Sequence, residues 1–350
     1  MITDIILQYS KFAFYGAQVV AYGAYTAIKH FCKRLPECFV VSSLSGNPGA
    51  IDGIPVQTPD TLSSDTLIII AVTEVLQDEI ADTLHKSGFH HTVKLTAHEE
   101  HLLMSNYYAG IGKFPLADAK ISNDTGFNDV DFTLYEIRNH LDMPLQNAPK
   151  LKPWEIPIQA GAELTDIRIC EQLDNAGKNI SSKNRKYCET SAMYWAWKNA
   201  KSSWIGLEHY RRHLLISPDM LQDNIDVILP FPYMCCPNVQ AQLNRFVDKE
   251  LVKALQSALK TLHPNHYDCY MECLSGRYHY AYNLIVAKSQ VFADYCEWAF
   301  GITDYLERLT IPSIKKARAL GYVIEMLTSL YFISNQNNLI IKHAEKAIYT

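Results

Sequence analysis

The sequence predicts an α/β protein in which a Rossmann-like parallel-sheet domain (residues 1–110) is followed, after a linker (111–128), by a second α/β domain (129–350). Three observations carry this. Short apolar, β-branched runs alternate with helix-period stretches at the pitch of βαβ units through the first part. The stretch Ala109–Asn128 then holds three Gly and few periodic apolar positions, and the pattern restarts at Val130. A chain of 350 residues, at about 100–200 residues per domain, also divides into two.

In the first part, Gln18–Tyr22 (QVVAY) reads as the opening strand, Gly23 as the turn after it and Ala24–Arg34 as a helix. Phe39–Ser42 is the second strand. Past a turn-rich stretch (Gly46, Asn47, Pro48, Gly49, Gly53, Pro55), Thr66–Val72 is a continuous apolar run of the kind buried on both faces of a parallel sheet. Val75–Lys86 follows as helix, Thr92–Leu95 as a short strand and His98–Tyr108 as another helix. Gly23 stands where a dinucleotide-binding fingerprint has its first glycine. The second and third positions hold Tyr25 and Ile28, however, whose side chains crowd a pyrophosphate, and Ser42 and Ser43 replace the acid that takes a ribose hydroxyl. NAD is therefore not expected, and the unit reads as a structural or small-ligand module.

Composition narrows the function class. Apolar residues at 48% and charged residues at 20% exclude a disordered, collagenous or coiled-coil chain. A net charge of -5 and a pI near 6.2 argue against a nucleic-acid partner bound over a wide basic face. Nine Cys without a C-x-x-C pair read as reduced thiols of a cytoplasmic protein rather than a zinc site. Met1–Tyr15 has no basic n-region, Asp4 interrupts its apolar stretch, and no run approaches the roughly 20 apolar residues of a spanning helix. Membrane contact is then at most peripheral. The aromatic content is uneven: all five Trp lie beyond residue 150, so the two parts do different work.

In the second part, Asp131–Ile137 is a strand ending in Arg138, Asn139 and His140, polar groups at the C-terminal edge where open α/β sheets bind ligands. Asp174–Asn184 (DNAGKNISSKN) is a polar loop whose Ser181 or Ser182 can cap the next helix. It reads either as a phosphate or ribose cradle or as an ordinary capped turn. Tyr187–Asn199 is helical, with Tyr187, Met193 or Tyr194 and Trp197 on a core stripe and Trp195 and Glu189 off it. Trp204–Leu207 is a buried strand leading into Glu208-His-Tyr-Arg-Arg-His213, a set of charged and polar groups that is costly to bury without a use, unless it is a solvated turn. Asn224–Leu229 is a strand closed by Pro230 and Pro232, and Lys249–Leu262 is a helix ended by His263-Pro-Asn-His266. Asn283–Ala287 is a strand and Phe292–Phe300 an aromatic helix. The last long helix, Pro312 to about Ser334, sets Arg318 and Glu325 seven residues apart on one face.

Clustered His, Arg and Lys at a sheet edge suit an anionic phosphate ligand, while Tyr and Trp suit the apolar faces of sugars; a nucleotide sugar offers both. Glycosyl transfer needs a base for the acceptor hydroxyl and cationic or metal stabilisation of the departing diphosphate. No D-x-D pair stands at a strand end, Glu208 with His209 being the closest substitute, so the metal question stays open at this level.

The motifs PIQAGA (Pro157–Ala162), DNAGKNISSKN, YCETSAMYWAWKN, IGLEHYRRH, YNLIVAK and RALGYVIEML together resemble a bacterial family long known as a domain of unknown function. Its members lie in capsule, exopolysaccharide and O-antigen clusters, and it has been linked to GT-A-type galactofuranosyltransferases. The resemblance runs from about Val130 to about Ser334 and implies a GT-A-like fold for the second domain. It places the family's first-strand His-Lys at His140 and Leu141, so that the lysine is missing. The family's Asp-x-x-Gly-x-Asn-Ile-Ser falls intact on Asp174, Gly177, Asn179, Ile180 and Ser181, and its HYRR on His209, Tyr210, Arg211 and Arg212. Its strand asparagine falls on Asn283, and its last arginine and Glu-Arg-Leu on Arg318 and Glu325, with Met326 in place of the arginine.

The resulting expectation is a cytoplasmic glycosyltransferase, at most peripheral at the inner face of the membrane. It moves a hexose, galactofuranose by the resemblance, from a UDP-sugar to a surface polysaccharide or its lipid-linked precursor, with inversion. Asp174, Asn179, Ser181 and Asn184, with His140, Tyr210 and Asn283, are expected to hold the donor. His209, Arg211, Arg212 and Arg318 would neutralise its diphosphate, and Glu325 or Glu208 would be the base. A catalytically silent nucleotide- or sugar-binding module of a polysaccharide assembly complex is the alternative, and an NAD-dependent sugar oxidoreductase, resting on Gly23, is a third reading.

Overall fold

The computed structural model describes residues 2–119 and 130–349; residues 120–128 of the expected linker lie outside the described residues. The chain forms two compact units, Met1–Phe114 with Tyr233–Pro237, and Pro115–Pro232 with Asn238–Thr350.

The first unit opens with a short helix α1 (Ile2–Ile6) and builds its sheet from β1 (Phe12–Tyr15), β2 (Phe39–Val40), β3 (Ala50–Ile51), β4 (Ile54–Gln57), β5 (Leu67–Ile70) and β6 (Thr92–Lys94). Their order is β3-β4-β2-β1-β5-β6, parallel except for the β3–β4 hairpin. This is the Rossmann-like parallel sheet anticipated, and β5 (LIII) is buried along its whole length. The opening strand is a correction. It is FAFY, fully buried, and Gln18–Tyr22 instead begins helix α2 (Val19–Cys32). QVVAY is apolar by helical as well as by strand spacing: Ala21, Ala24, Tyr25 and Ile28 recur at three- to four-residue steps and are buried. The turn residue is Gly16, not Gly23. Gly16 has φ +123, and a Cβ there would stand 2.6 Å from the Ala71 carbonyl oxygen. Gly23 lies inside α2 facing Met104 of α4 (Ala97–Gly110), a helix that starts with the Thr96/Glu99 capping box and follows α3 (Gln77–Lys86).

The second unit is built on β7 (Phe132–Arg138), β8 (Glu155–Gln159), β9 (Gln172–Leu173), β10 (Trp204–His209), β11 (Arg212–Leu214) and β12 (Val227–Pro230). The two-residue strands β13 (Tyr233–Met234), in the excursion assigned to the first unit, and β14 (Tyr278–His279) come next. They are followed by β15 (Ile285–Lys288), β16 (Ile341–Ala344) and β17 (Lys346–Ile348). The main path runs β16-β12-β15-β10-β7-β8-β9, with β11 bridging β10 and β17. β10, β7, β8 and β9 are mutually parallel, while β15 is antiparallel to both β10 and β12.

Two helices read as continuous are broken. Tyr187–Asn199 divides into α5 (Asn184–Tyr187) and α6 (Thr190–Asn199) at Cys188, whose φ is 51. The C-terminal segment divides into a 3₁₀ turn, Pro312–Lys315, and α11 (Ala319–Ser334) at Arg318, with φ 66. The aromatic stripe of α6 is also corrected. Trp195 is buried, donating Nε1–H to the Ala176 carbonyl at 2.8 Å, and Trp197 is only half-buried, stacked on Phe300. Around the sheet pack α7 (Val239–Leu243), α8 (Lys249–Leu262), α9 (Tyr267–Ser275) and α10 (Ser289–Glu307). Glu307, at the end of α10, receives Lys183, Lys186 and the Tyr187 hydroxyl, which anchors α5. Burial alone would raise its carboxyl, but the two lysines outweigh that and hold it below the usual range. No described helix is long and apolar enough to cross a membrane.

Candidate functional site

β7 and β10 run parallel with Glu136 opposite Glu208 and Ile137 opposite His209, so both strands end at the same edge of the sheet. That edge, the loop after it, α5 and the start of α11 enclose a cleft of about 590 Å³. Five arginines line it: Arg138, Arg185, Arg211, Arg212 and Arg318. Three carboxylates face them, Asp142, Glu189 and Glu325, together with His209 and the rings of Tyr210, Tyr282 and Tyr322.

The backbone around this cleft is held away from its preferred conformations. Among the described residues, four of the seven non-glycine positions with positive φ are here: Cys188, Tyr282 (73), Asn283 (52) and Arg318. Each such position costs of order 1–3 kcal/mol and persists only where its surroundings fix it, as functional sites do. The fixing contacts are visible. Arg318 N–H donates to the Arg185 carbonyl at 2.9 Å, and the Tyr282 amide donates to Glu325 Oε2 at 2.7 Å. Asn283 Nδ2 donates to Glu189 Oε1 at 3.0 Å.

Electrostatics follow from this packing. Burial alone would raise the carboxyl of Glu325, yet the His279 ring, 3.3 Å away, and the Tyr282 amide outweigh it and hold the group below the usual carboxylate range. Burial pushes the His209 imidazole down against the pull of Glu189, whose Oε1 lies 3.9 Å from Nε2. The Asp142 carboxyl is raised by burial, though the Asn139 amide, Arg211 and Arg138 draw it back. Burial pushes the Cys188 thiol up to about 11, against a hydrogen bond from Arg318. The Arg212 guanidinium lies 4.2 Å from the centre of the Tyr282 ring, and its buried Nε makes no hydrogen bond. The site is thus a cationic, partly dry cleft with an ionised carboxylate and a neutral imidazole, suited to an anion whose reacting partner must lose a proton.

The expected donor residues and the expected base Glu325 fall into a lining group and a frame, with His140 in neither. Asn184, His209, Tyr210, Arg211, Arg212, Arg318 and Glu325 come together in the cleft lining. Asp174, Ser181, Asn179 and Asn283 form the frame behind it. Asp174 is fully buried and accepts from the amides of Gly161 and Ala162 and from the hydroxyls of Ser181 and Ser191. Ser181 does not cap a helix but accepts from the Glu163 amide, and Asn179 staples its own loop through Asn175, Gly177 and Ser181. The frame sets Asn184, whose Nδ2 reaches Cys188 O and Ser191 Oγ; a Cβ on Gly161, at φ +71, would strike the Asn184 side chain at 2.7 Å. His140 is half-buried in the turn after β7 with Nδ1 unbonded, and is not among the lining residues. Leu141, where the resembled family has lysine, is exposed, and Met326 is packed in the core of α11.

Glu208 does not reach the cleft. Alternation along β10 turns it away from His209 into the interior, where burial, with Glu155 and Glu136 nearby, pushes its carboxyl up to about 9. An enclosed carboxyl turned away from the cleft is not placed to act as the base. Glu189, Asp142, Arg185 and Tyr282 are site residues that sequence reasoning did not single out as ligand-binding. Only Glu189 left a signal, as a polar residue off the α6 stripe.

Fold and cleft therefore define an α/β protein with an arginine-lined cleft at the edge of its second sheet. The model of the family described as Domain of unknown function (DUF4422) matches residues 139–337, more than half the chain, and the protein belongs to that family. The solved apo structure of the WbbM bifunctional glycosyltransferase shares its fold, with a TM-score of 0.51 and 23% identity. The match covers 62% of this chain and 45% of that one, so this chain spans less than half the length of its solved relative. No curated protein matches the chain.

Proposed function

We propose that the protein is a cytoplasmic glycosyltransferase that moves a hexose, galactofuranose by the likeness of its motifs, from a UDP-sugar to a surface polysaccharide or its lipid-linked precursor, with inversion, any membrane contact being peripheral. The carrying observation is the convergence of five guanidiniums on one cleft at a sheet edge beside the ionised Glu325. Arg211, Arg212 and Arg318 would neutralise the departing diphosphate, the tyrosine rings would take the apolar faces of uracil and sugar, and Glu325 would accept the proton of the acceptor hydroxyl. Glu189, set by Asn283, would orient the sugar beside His209.

A silent binding module is the second reading, favoured by the engagement of both Glu325 oxygens and by the exposed Leu141 in the place of a lysine. UDP release from a panel of UDP-sugars, run alongside calorimetry, separates the two. The transferase releases UDP, Glu325→Gln lowers kcat by about 10²–10⁴ with donor affinity retained, and Arg212→Ala loses the donor. A donor held without turnover identifies the binder. If no UDP-sugar binds and Arg212→Ala changes nothing, both readings fail.

A further inference from the structure

Behind the cleft, on the buried face of the same sheet, lies a second constellation. Glu208 near the end of β10 and His213 in β11 flank the turn that carries His209 to Arg212, and Glu155 opens β8. One ligand atom from each of Glu155, Glu208 and His213 lies within 4.8 Å of the others, and all three residues are buried. His213 Nδ1 is 3.1 Å from Glu208 Oε1, while its other ring nitrogen, Nε2, is 3.4 Å from Glu136 Oε1. The second Glu136 oxygen accepts from Arg138 Nε at 2.6 Å. Although fully enclosed, Glu208 Oε1, Glu136 Oε1 and His213 Nε2 make no hydrogen bond. Arg138 already pairs with Glu136, and the Leu214 and Lys152 amides donate to Glu208 Oε2 and Glu155 Oε2; the oxygen of Glu208 and the ring nitrogen of His213 that stay without a hydrogen bond are costly to enclose unless a cation joins them.

We propose that Glu155, Glu208 and His213 hold a divalent cation, with zinc the best fit to two carboxylates and one imidazole. His213 binds through Nδ1 and directs its Nε2–H to Glu136, the carboxylate–imidazole–metal arrangement that fixes a ligand's tautomer and ring orientation. Arg138 in turn fixes Glu136 and also lines the cleft, so the ion connects to the cleft through Arg138–Glu136–His213. Because Glu208 and His213 bracket His209–Arg212, the ion fastens both ends of the turn that presents an imidazole, a phenol and two guanidiniums to the cleft. It is a positioning ion, on the far face of β10 from His209.

The test uses the full, tag-free protein, stripped with a chelator and titrated with Co²⁺ alone, then with competing Zn²⁺. No nucleotide sugar is present, so the result stands apart from the transferase reading. One equivalent of Co²⁺ is expected, with visible d–d bands stronger than those of the hexaaqua ion that weaken in His213→Gln, displacement by Zn²⁺ and a melting temperature higher by about 5–10 °C at a hundredfold excess over Kd. Glu155→Gln, Glu208→Gln and His213→Gln lose stoichiometric uptake, and Glu136→Gln weakens it by about 10–100-fold. Should His213→Gln fail to fold, Glu155→Gln, on a separate strand, and the wild-type titration still decide. Absence of stoichiometric uptake by the wild type overturns the proposal. So does uptake that the three ligand variants leave unchanged, or a melting temperature that saturating metal does not raise.

Discussion

Asp174 accepts from the Gly161 and Ala162 amides at 2.9 and 3.0 Å and from two serine hydroxyls, with none of its surface left to solvent. Removing it would strand the two amides and the Ser181 hydroxyl in a dry interior, Ser191 keeping the Cys188 carbonyl as acceptor, so Asp174→Ala should cost about 3–5 kcal/mol in urea unfolding. Arg211 makes the opposite case. Its exposed side chain reaches over Tyr210 at the rim of the cleft, so Arg211→Ala should move stability by less than about 0.5 kcal/mol. It should instead weaken UDP-sugar binding roughly 10–100-fold, the worth of one charge-assisted contact. A reversed pattern, with Asp174→Ala stable and Arg211→Ala unfolded, would show frame and cleft to have been assigned the wrong way round. The polar motif containing Asp174 is legible in the sequence as something special. Its work as frame is not, because only the fold brings Gly161 and Ser191 to it.

Helix breaks shape the site at the next scale, and they were the least legible feature. Period alone joins Tyr187 to Asn199 and Pro312 to Ser334, and nothing in Cys188 or Arg318 marks a stop, since the usual signal is glycine or asparagine. Tertiary contacts impose the breaks instead: the Arg185 carbonyl takes the Arg318 amide, and Asn184 takes the Cys188 carbonyl. The strands were more readable, because β5, β7 and β10 are apolar runs bounded by polar residues. β8 (EIPIQ) is less legible because Glu155, Pro157 and Gln159 interrupt its apolar residues, and β9 and β11, of two and three residues, are too short to show a period. Arg318→Gly separates the two duties of its position. Glycine meets φ 66 without strain, so thermal stability should hold or rise by up to about 1 kcal/mol, whereas Arg318→Ala keeps the strain and should be the less stable of the two. Both should lose donor affinity equally. If glycine proves no more stable than alanine in a melting experiment, the left-handed backbone is not what the position costs.

Across the second unit, distant segments are drawn together by His343 in β16. Its amide and Nδ1 both face the Pro115 carbonyl, at 2.9 and 3.1 Å; its own carbonyl accepts from Ala117. Nε2 meets the Tyr280 hydroxyl at 2.9 Å, and the ring stacks on Phe231. Burial pushes this imidazole down from 6.5 to about 4, with the Pro115 hydrogen bond opposing and Lys342 assisting. The sign of the linkage follows. The unfolded chain takes up the proton as pH falls through about 6.5, while the fold refuses it until about 4. The stability that His343 contributes is therefore complete above pH 6.5 and is lost progressively between 6.5 and 4, by about 3 kcal/mol in all. Glu325 and Glu307, held below the carboxylate range, add their loss only as pH falls below about 4.5, so the two windows separate. Glu208, raised to about 9, gains stability as pH falls through the same window and opposes the loss, so the effect of His343 is read as a difference between two proteins that share Glu208. In melting temperatures measured at half-unit steps from pH 7.5 to 4.5, the advantage of the wild type over His343→Gln should shrink below pH 6.5, and a constant difference would remove His343 as the cause.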